Sequence, residues 1–428
     1  MSKKMNWNLR LLLPVLVLST LSVAQSPMRI TQPINGSALV RIPQTKHPLA
    51  NARNDRGRLS GSQSLERMVL VLKPSDAQQQ ELSRFLDAQQ NRDSYQYHRW
   101  LSPDEFGNKF GVSDADLQQL TSWLQQSGFR VDQVSRGRLW IEFSGSASQV
   151  ENAFHTEMHN YSVHGEKHIA NATDISLPEA LTPVVKGVLS LHDFRKKSNL
   201  AQAIPVHRDK TSGKLVPNFT ISNRNGTFHF LAPGDYRKIY NTETLLKSGI
   251  DGSGVSIAVV GRTNINLSDV RTFRKIFGLP ENDPVFIVNG KDPGINGDEL
   301  ESALDVEWSG AVAPKATIKF VTTNSTFSTD GVDLSASYIV DNVVAPIMSM
   351  SYSLCEAFLG TAGNEHFTRL YQQAAAEGMT VFVSTGDNGP AGCDFPQNFA
   401  PAQNGANVSG LSSTPYNVSV GGTQFREQ

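Results

Sequence analysis

Within "GDELESALDVEWSGAVAP", residues 297–314, carboxylates crowd together: Asp298, Glu299, Glu301 and Asp305. If the segment is helical, Glu301 and Asp305 stand at i and i+4 and share one face, where like charges repel. Two arrangements relieve that repulsion. Either the face is solvated, with Leu300, Ala303, Leu304 and Val306 turned inward, or the carboxyls share one proton and the raised member serves as an acid or base. A third carboxylate, Asp387, follows the apolar run "MTVFVSTG" and precedes the glycine-bearing loop "NGPAG". A carboxylate at such a place is either a cap or turn former or a site residue. Imidazole is scarce here. From Leu231 to Gln428 the one histidine is His366, with His229 just upstream, so a Ser-His-Asp triad has few candidates and carboxylates are expected to move the proton.

The elements that position these groups are legible from periodicity. From Leu231 onward "GVSIAVVG", "PVFIVNG", "ATIKFVTT", "APIMSMSYS", "GMTVFVSTG" and "YNVSVGG" are nearly continuous apolar runs, as strands buried on both faces are. Between them "LSDVRTFRKIF", "DELESALDVEWSGAV", "GVDLSASYIVDN" and "EHFTRLYQQAAAEG" read as helices. The alternation predicts a doubly wound parallel α/β sheet, whose functional residues gather at the carboxyl ends of the strands. The glycines of "DGSGVSIAVVG" precede their strand, which is the wrong side for a dinucleotide fingerprint. With no phosphate loop present, a nucleotide-binding or small-ligand α/β protein is disfavoured.

The first half has a different rhythm. Met68–Leu72 reads as a strand, and Ser75 with Gln78 as a capping box that starts a helix. Ser113 caps a second helix with Leu117, Leu120, Trp123 and Leu124 as its apolar stripe. "FRVDQVS" and "RLWIEFSG" read as a hairpin closed by Arg136 and Gly137. Residues 66–194 are therefore expected to form a small α+β open sandwich, preceded by a polar, aperiodic arm at 25–65. Residues 193–231 carry seven basic against two acidic side chains, a net of +5, and read as an exposed, cleavable linker at 195–230.

The chain of 428 residues is 39% hydrophobic and 18% charged, with a net charge of -1, which argues against a general nucleic-acid binder. Residues 1–24 combine a basic start, an apolar run interrupted by Pro14, and small residues before Gln25, which predicts a secretory signal and an extracellular address. No later stretch approaches a membrane span. Two cysteines in an exported chain, Cys355 and Cys393, suggest one disulfide. Several Asn-x-Ser/Thr sequons occur, for example at Asn171, Asn218, Asn225 and Asn324.

In this order, "YQYHRWLSPDEFGNKFG", "IEFSGSASQVENAFHTEMHNY", "LAPGDYRKIYN", "SIAVVGRTNI", "ESALDVEWSGAVAP", "STGDNGPAGCDFP" and "VSVGGTQF" resemble successive landmarks of the sedolisin family of serine-carboxyl peptidases, kumamolisin-like members in particular. The resemblance implies an activation prodomain at 66–194 and the front part of a subtilisin-like peptidase domain at 231–428. It implies Glu301 as general base, Asp305 as the residue that orients Glu301 and shares its proton, and Asp387 as a protonated oxyanion donor. The family's nucleophile lies in a Ser-Gly-Thr-Ser stretch downstream of "VGGT", and no such stretch occurs in the sequence. Ser384, Ser412 and Ser413 lack a glycine-rich elbow, so the chain alone is expected to be inactive. The family's calcium loop would lie beyond residue 428, and no cofactor is expected in the chain itself. The expected partners are peptide or protein substrates and the intramolecular prodomain. The alternative is a non-catalytic binding or inhibitory fragment acting through the prodomain.

Overall fold

The computed structural model describes residues 27–198, 219–223, 226–394 and 401–423. The expected signal at 1–24 and most of the expected 195–230 linker lie outside the described residues.

In the first half, β1 (Leu39–Arg41) and β2 (Asp55–Arg58) precede the long β3 (Ser64–Leu72). α1 (Asp76–Gln90) opens on the capping box read from sequence: the Ser75 hydroxyl accepts from the Gln78 N–H, and the Gln78 side chain accepts from the Ser75 N–H. α2 (Pro103–Phe110) repeats that device with Ser102 and Glu105, and α3 (Asp114–Gln126) is capped by Ser113. β4 (Arg130–Val134) and β5 (Trp140–Ser146) form the expected hairpin. α4 (Ala147–Phe154), β6 (Met158–Val163), β7 (Glu166–Asn171), β8 (Ser176–Pro178) and β9 (Val185–Val188) complete the unit.

An antiparallel sheet in the order β4-β5-β3-β9 forms its centre. Alternation along β3 decides how the sheet is covered. Leu65, Met68, Leu70 and Leu72 enter one core with α3 and α4. Val69 and Val71 enter another, shared with α1, α2 and three residues of the second half: Leu334, Ala362 and Ala376.

The stretch at 27–65, expected as a loose arm, is built into this unit instead. β1 pairs with β8 and β2 with β6, Ile30 is buried, and the Asp116 carboxylate accepts from the Arg29 and Ile30 N–H groups. Its anchoring is largely backbone pairing, which leaves no apolar period in the sequence.

In the second half, β10 (Lys197–Ser198) is followed by a hairpin of β11 (Phe219–Asn223) and β12 (Gly226–Phe230). Then come α5 (Pro233–Ile239), α6 (Glu243–Lys247), β13 (Ser256–Val260), α7 (Leu267–Ile276), β14 (Val285–Val288), α8 (Glu299–Val312), β15 (Thr317–Thr322) and α9 (Gly331–Asp341). β16 (Ile347–Met350), β17 (Tyr352–Ser353), α10 (Glu356–Ala376), β18 (Thr380–Ser384) and β19 (Val418–Val420) follow. The six apolar runs become one parallel sheet in the order β14-β15-β13-β16-β18-β19. Ala258 and Val260 of β13 face α9 and α10, whereas Val259 between them faces α7 and α8. The sheet is doubly wound, in agreement with the doubly wound α/β class expected. A disulfide joins Cys355, at the start of α10, to Cys393 in the loop after β18.

The first unit sits on α9 and α10. The Asp341 carboxylate at the end of α9 accepts from the Arg136 and Gly137 N–H groups at 3.0 Å each, and the Leu101 N–H donates to the Ala376 carbonyl at 3.0 Å. Removing the carboxylate strands two donors at a covered interface. Asp341→Ala is expected to weaken the docked state by about 2–3 kcal/mol, read as a lower urea midpoint together with faster protease nicking of the β4–β5 turn.

Candidate active site

α8 begins where the chain returns from β14 to the carboxyl edge of the sheet, so its first two turns face the strand ends. Glu301 is buried, at 4% exposure, and Ser302 beside it is fully buried. Asp305, one turn later, is half-buried. A solvated acidic face would leave all these side chains exposed, whereas here Leu300 and Leu304 are the exposed ones.

Asp305 is tied to the neighbouring strand. The Ser351 hydroxyl, directly after β16, donates to its Oδ1 at 2.8 Å, while its Oδ2 is buried without a hydrogen-bond partner. Burial pushes the Asp305 carboxyl up to about 7, although the Ser351 hydrogen bond pulls the other way. Such a group is neutral in acid and still half-protonated near neutrality.

Asp387 lies just past β18, on the same edge. The parallel register of β16 with β18, Met350 opposite Val383, brings the chain leaving β16 level with the chain leaving β18. Unlike the α8 pair, Asp387 is exposed, and partial burial of its carboxyl raises its pKa by a smaller amount. Thus Glu301 and Asp305 occupy one helix face, and Asp387 shares their sheet edge from a more open position.

The first turn of α8 is locked from below. Arg262, one residue beyond Gly261 at the end of β13, ion-pairs with Asp298 at the N-cap of α8 and donates Nη1 to Asp330 at the N-cap of α9, 2.9 Å from Oδ2. Burial favours loss of its proton, but Asp330 and Asp298 outweigh it and hold the Arg262 pKa above its ordinary value. Its guanidinium also lies 5.1 Å from the Tyr352 ring centroid.

Sequence reasoning missed Arg262, Asp330 and Ser351. The criterion applied to Asp387, a polar residue ending a buried strand, would also have selected Arg262 and Ser351 in "AVVGRTN" and "IMSMSYS". His366 is buried beneath α9 with its Nε2 3.1 Å from the Ser337 hydroxyl, and burial lowers its pKa to about 3. It is a core histidine. Among the described residues no three His, Cys, Asp or Glu side chains are grouped to hold a metal ion, and no helix is long and apolar enough to cross a membrane.

Residues 51–194 match the family described as pro-kumamolisin, activation domain. The chain is 25% identical over 366 residues to sedolisin of Pseudomonas sp. (strain 101), covering 83% of this chain and 59% of that protein. It is 26% identical over 385 residues to xanthomonalisin of Xanthomonas sp. (strain T-22), covering 83% and 45%. A solved Pseudomonas sedolisin complexed with pseudo-iodotyrostatin aligns with a TM-score of 0.37 at 22% identity, over 46% of this chain and 54% of that one. The chain thus spans about half the length of the curated relatives it matches.

The raised carboxyl carries a sign. An Asp that keeps its proton to about 7 when folded, but loses it near 3.8 when unfolded, costs no stability below 3.8. The cost accumulates as pH rises through that window and is complete above about 7. Asp305→Asn is expected to flatten the fall in stability between pH 4 and 7 and to stabilise the protein at pH 8 by at most roughly 4 kcal/mol. Denaturant titrations of both proteins at several pH values measure this, and parallel curves would contradict the assignment.

Proposed function

We propose that this chain, a sedolisin-family peptidase precursor with an activation domain of the pro-kumamolisin type, serves an endopeptidase in which carboxyl groups move the proton in acid. The observation that carries the reading is the buried Glu301 with Asp305 one turn away at the carboxyl edge of a doubly wound sheet. Glu301 acts as general base toward a serine hydroxyl. Asp305, held by Ser351 and neutral in acid, shares its proton with Glu301 and fixes its orientation. Asp387 in its protonated form donates to the oxygen that becomes negative as the peptide carbonyl is attacked. No residue of the 428 is assigned as the nucleophile.

Residues 27–194, the expected 66–194 unit with the stretch that is built into it, act as the prodomain and 231–428 as peptidase-domain residues, with processing between them. The N-terminal basic-then-apolar pattern and the Cys355–Cys393 disulfide support export to an oxidising compartment. Acid release of the prodomain is supported by two histidines where the halves meet. The His47 ring lies 4.1 Å from that of Phe194 and 4.8 Å from that of Phe358 on α10. Its Nδ1 accepts from the Leu49 N–H, so that nitrogen carries no proton. Burial, with His168 nearby, lowers its pKa to about 3, and burial drives His192 well below its ordinary value.

A histidine neutral when docked and charged when released favours release as pH falls below about 6.5, increasingly so down to about 3. His47→Leu, which cannot charge, is expected to move prodomain release to lower pH by about half a unit or more, read by the pH at which residues 27–194 separate on gel filtration after linker cleavage.

The central test is proteolysis. The purified protein, with any residues that follow Gln428 in its natural gene product included, is expected to cleave a denatured protein at acidic pH. Glu301→Gln is expected to slow that cleavage about a hundredfold or more. Undiminished cleavage by the variant sinks the role of Glu301. A second reading, a non-catalytic protein acting through its prodomain, draws on the separate core of that unit. It predicts no cleavage, with inhibition of a complete sedolisin-type peptidase added in trans.

A further inference from the structure

The segment after the activation domain was expected to be an exposed basic linker, yet its start pairs with β17 in a two-stranded sheet. Lys197 and Ser198 form β10, paired antiparallel with Ser353 and Tyr352 of β17. β17 begins one residue after Ser351, which holds Asp305. The segment therefore lies extended along the wall beside the acid pair, as a peptide laid onto an exposed strand would.

Lys196 precedes this strand and is 4% exposed. Its Nζ lies 2.6 Å from Asp333 Oδ1 and donates to Oδ2 at 2.8 Å; the ammonium also stands 5.7 Å from the Phe367 ring centroid. Its backbone N–H donates to Asp330 Oδ2 at 2.9 Å. The two carboxylates have different tasks. Asp330 is held by Arg262 whether or not Lys196 is present. Asp333, 1% exposed in the first turn of α9, takes its ion pair from Lys196. A carboxylate in such surroundings needs a cation or a proton.

We propose that Asp333 and Asp330 form a substrate subsite that selects a lysine or arginine side chain in an extended peptide lying against β17, and that Lys196 fills it in the precursor. Asp333 takes the cationic head, Asp330 takes the N–H of the same residue, and β17 pairs the backbone that follows. The inference rests on the peptidase reading for its catalytic meaning, but the recognition itself is independent of turnover.

The test uses the full chain carrying Lys196→Gly and Lys197→Pro, which removes the resident side chain and one backbone donor of β10. The probes are fluorescein-labelled peptides spanning residues 194–199, with lysine, norleucine or glutamate at the position of Lys196, read by fluorescence anisotropy. The lysine peptide is expected to bind about tenfold or more tighter than the norleucine peptide, with the glutamate peptide weakest. Adding Asp333→Asn is expected to remove the lysine preference. Equal affinities for lysine and norleucine, or no binding by any peptide, overturn the subsite.

If the vacated variant fails to fold, hydrogen exchange in the unmodified chain gives the same answer: excess lysine peptide should speed exchange of the Lys197 and Ser198 amides, and the norleucine peptide should not. Equal effects of the two, or none, overturn the proposal. Lysine-selective binding, together with failure of the protein extended past Gln428 to cut denatured substrate, overturns the peptidase reading and keeps the subsite. Cutting that ignores the basic side chain does the reverse.

Discussion

The carboxyl edge of the parallel sheet depends on one buried cation. Arg262 leaves the end of β13, the strand between β15 and β16, and reaches the N-caps of two helices at once through Asp298 and Asp330. Isolated buried carboxylates are costly, and so is an isolated buried guanidinium. Together they hold α8 and α9 in fixed register with the strand ends. Glu301 lies within one turn of the first N-cap and Asp333 within one turn of the second. The placement of the acid pair and the lining of the neighbouring pocket thus have a common mechanical origin.

Two kinds of charge management operate a few residues apart. Around Arg262, opposite charges are paired, and Asp330 stays well below the usual carboxylate range because Arg262, Lys196 and Arg195 outweigh the effect of burial. Around Asp305, burial dominates and nothing positive compensates it, so the proton is retained. The same residue type is thereby a fixed anion in one place and a proton carrier in the other, set by whether a cation faces it.

Much of this architecture is legible in the sequence because it rests on local signals. The six apolar runs are strands because both faces of each are covered, and the Ser75 and Ser113 caps are visible in spacing alone. The i, i+4 relation of Glu301 and Asp305 follows once α8 is recognised. What stayed hidden is nonlocal. Residues 27–65 are held by pairing to strands over a hundred residues away, as β1 is to β8. Lys196 looks like one charge in a basic run until the fold supplies Asp333, 137 residues on. Ser351 acquires a role only through Asp305, across two strands of chain.

The Cys355–Cys393 bond encloses α10, β18 and the loop that carries Asp387 in one covalent ring. α10 supplies part of the floor on which the activation domain rests, through Ala362 and Ala376, while the loop carries the exposed acid at the sheet's carboxyl edge. A single thiol–disulfide exchange therefore slackens the seat of the first unit and the tether of Asp387 together, through the same two sulfur atoms.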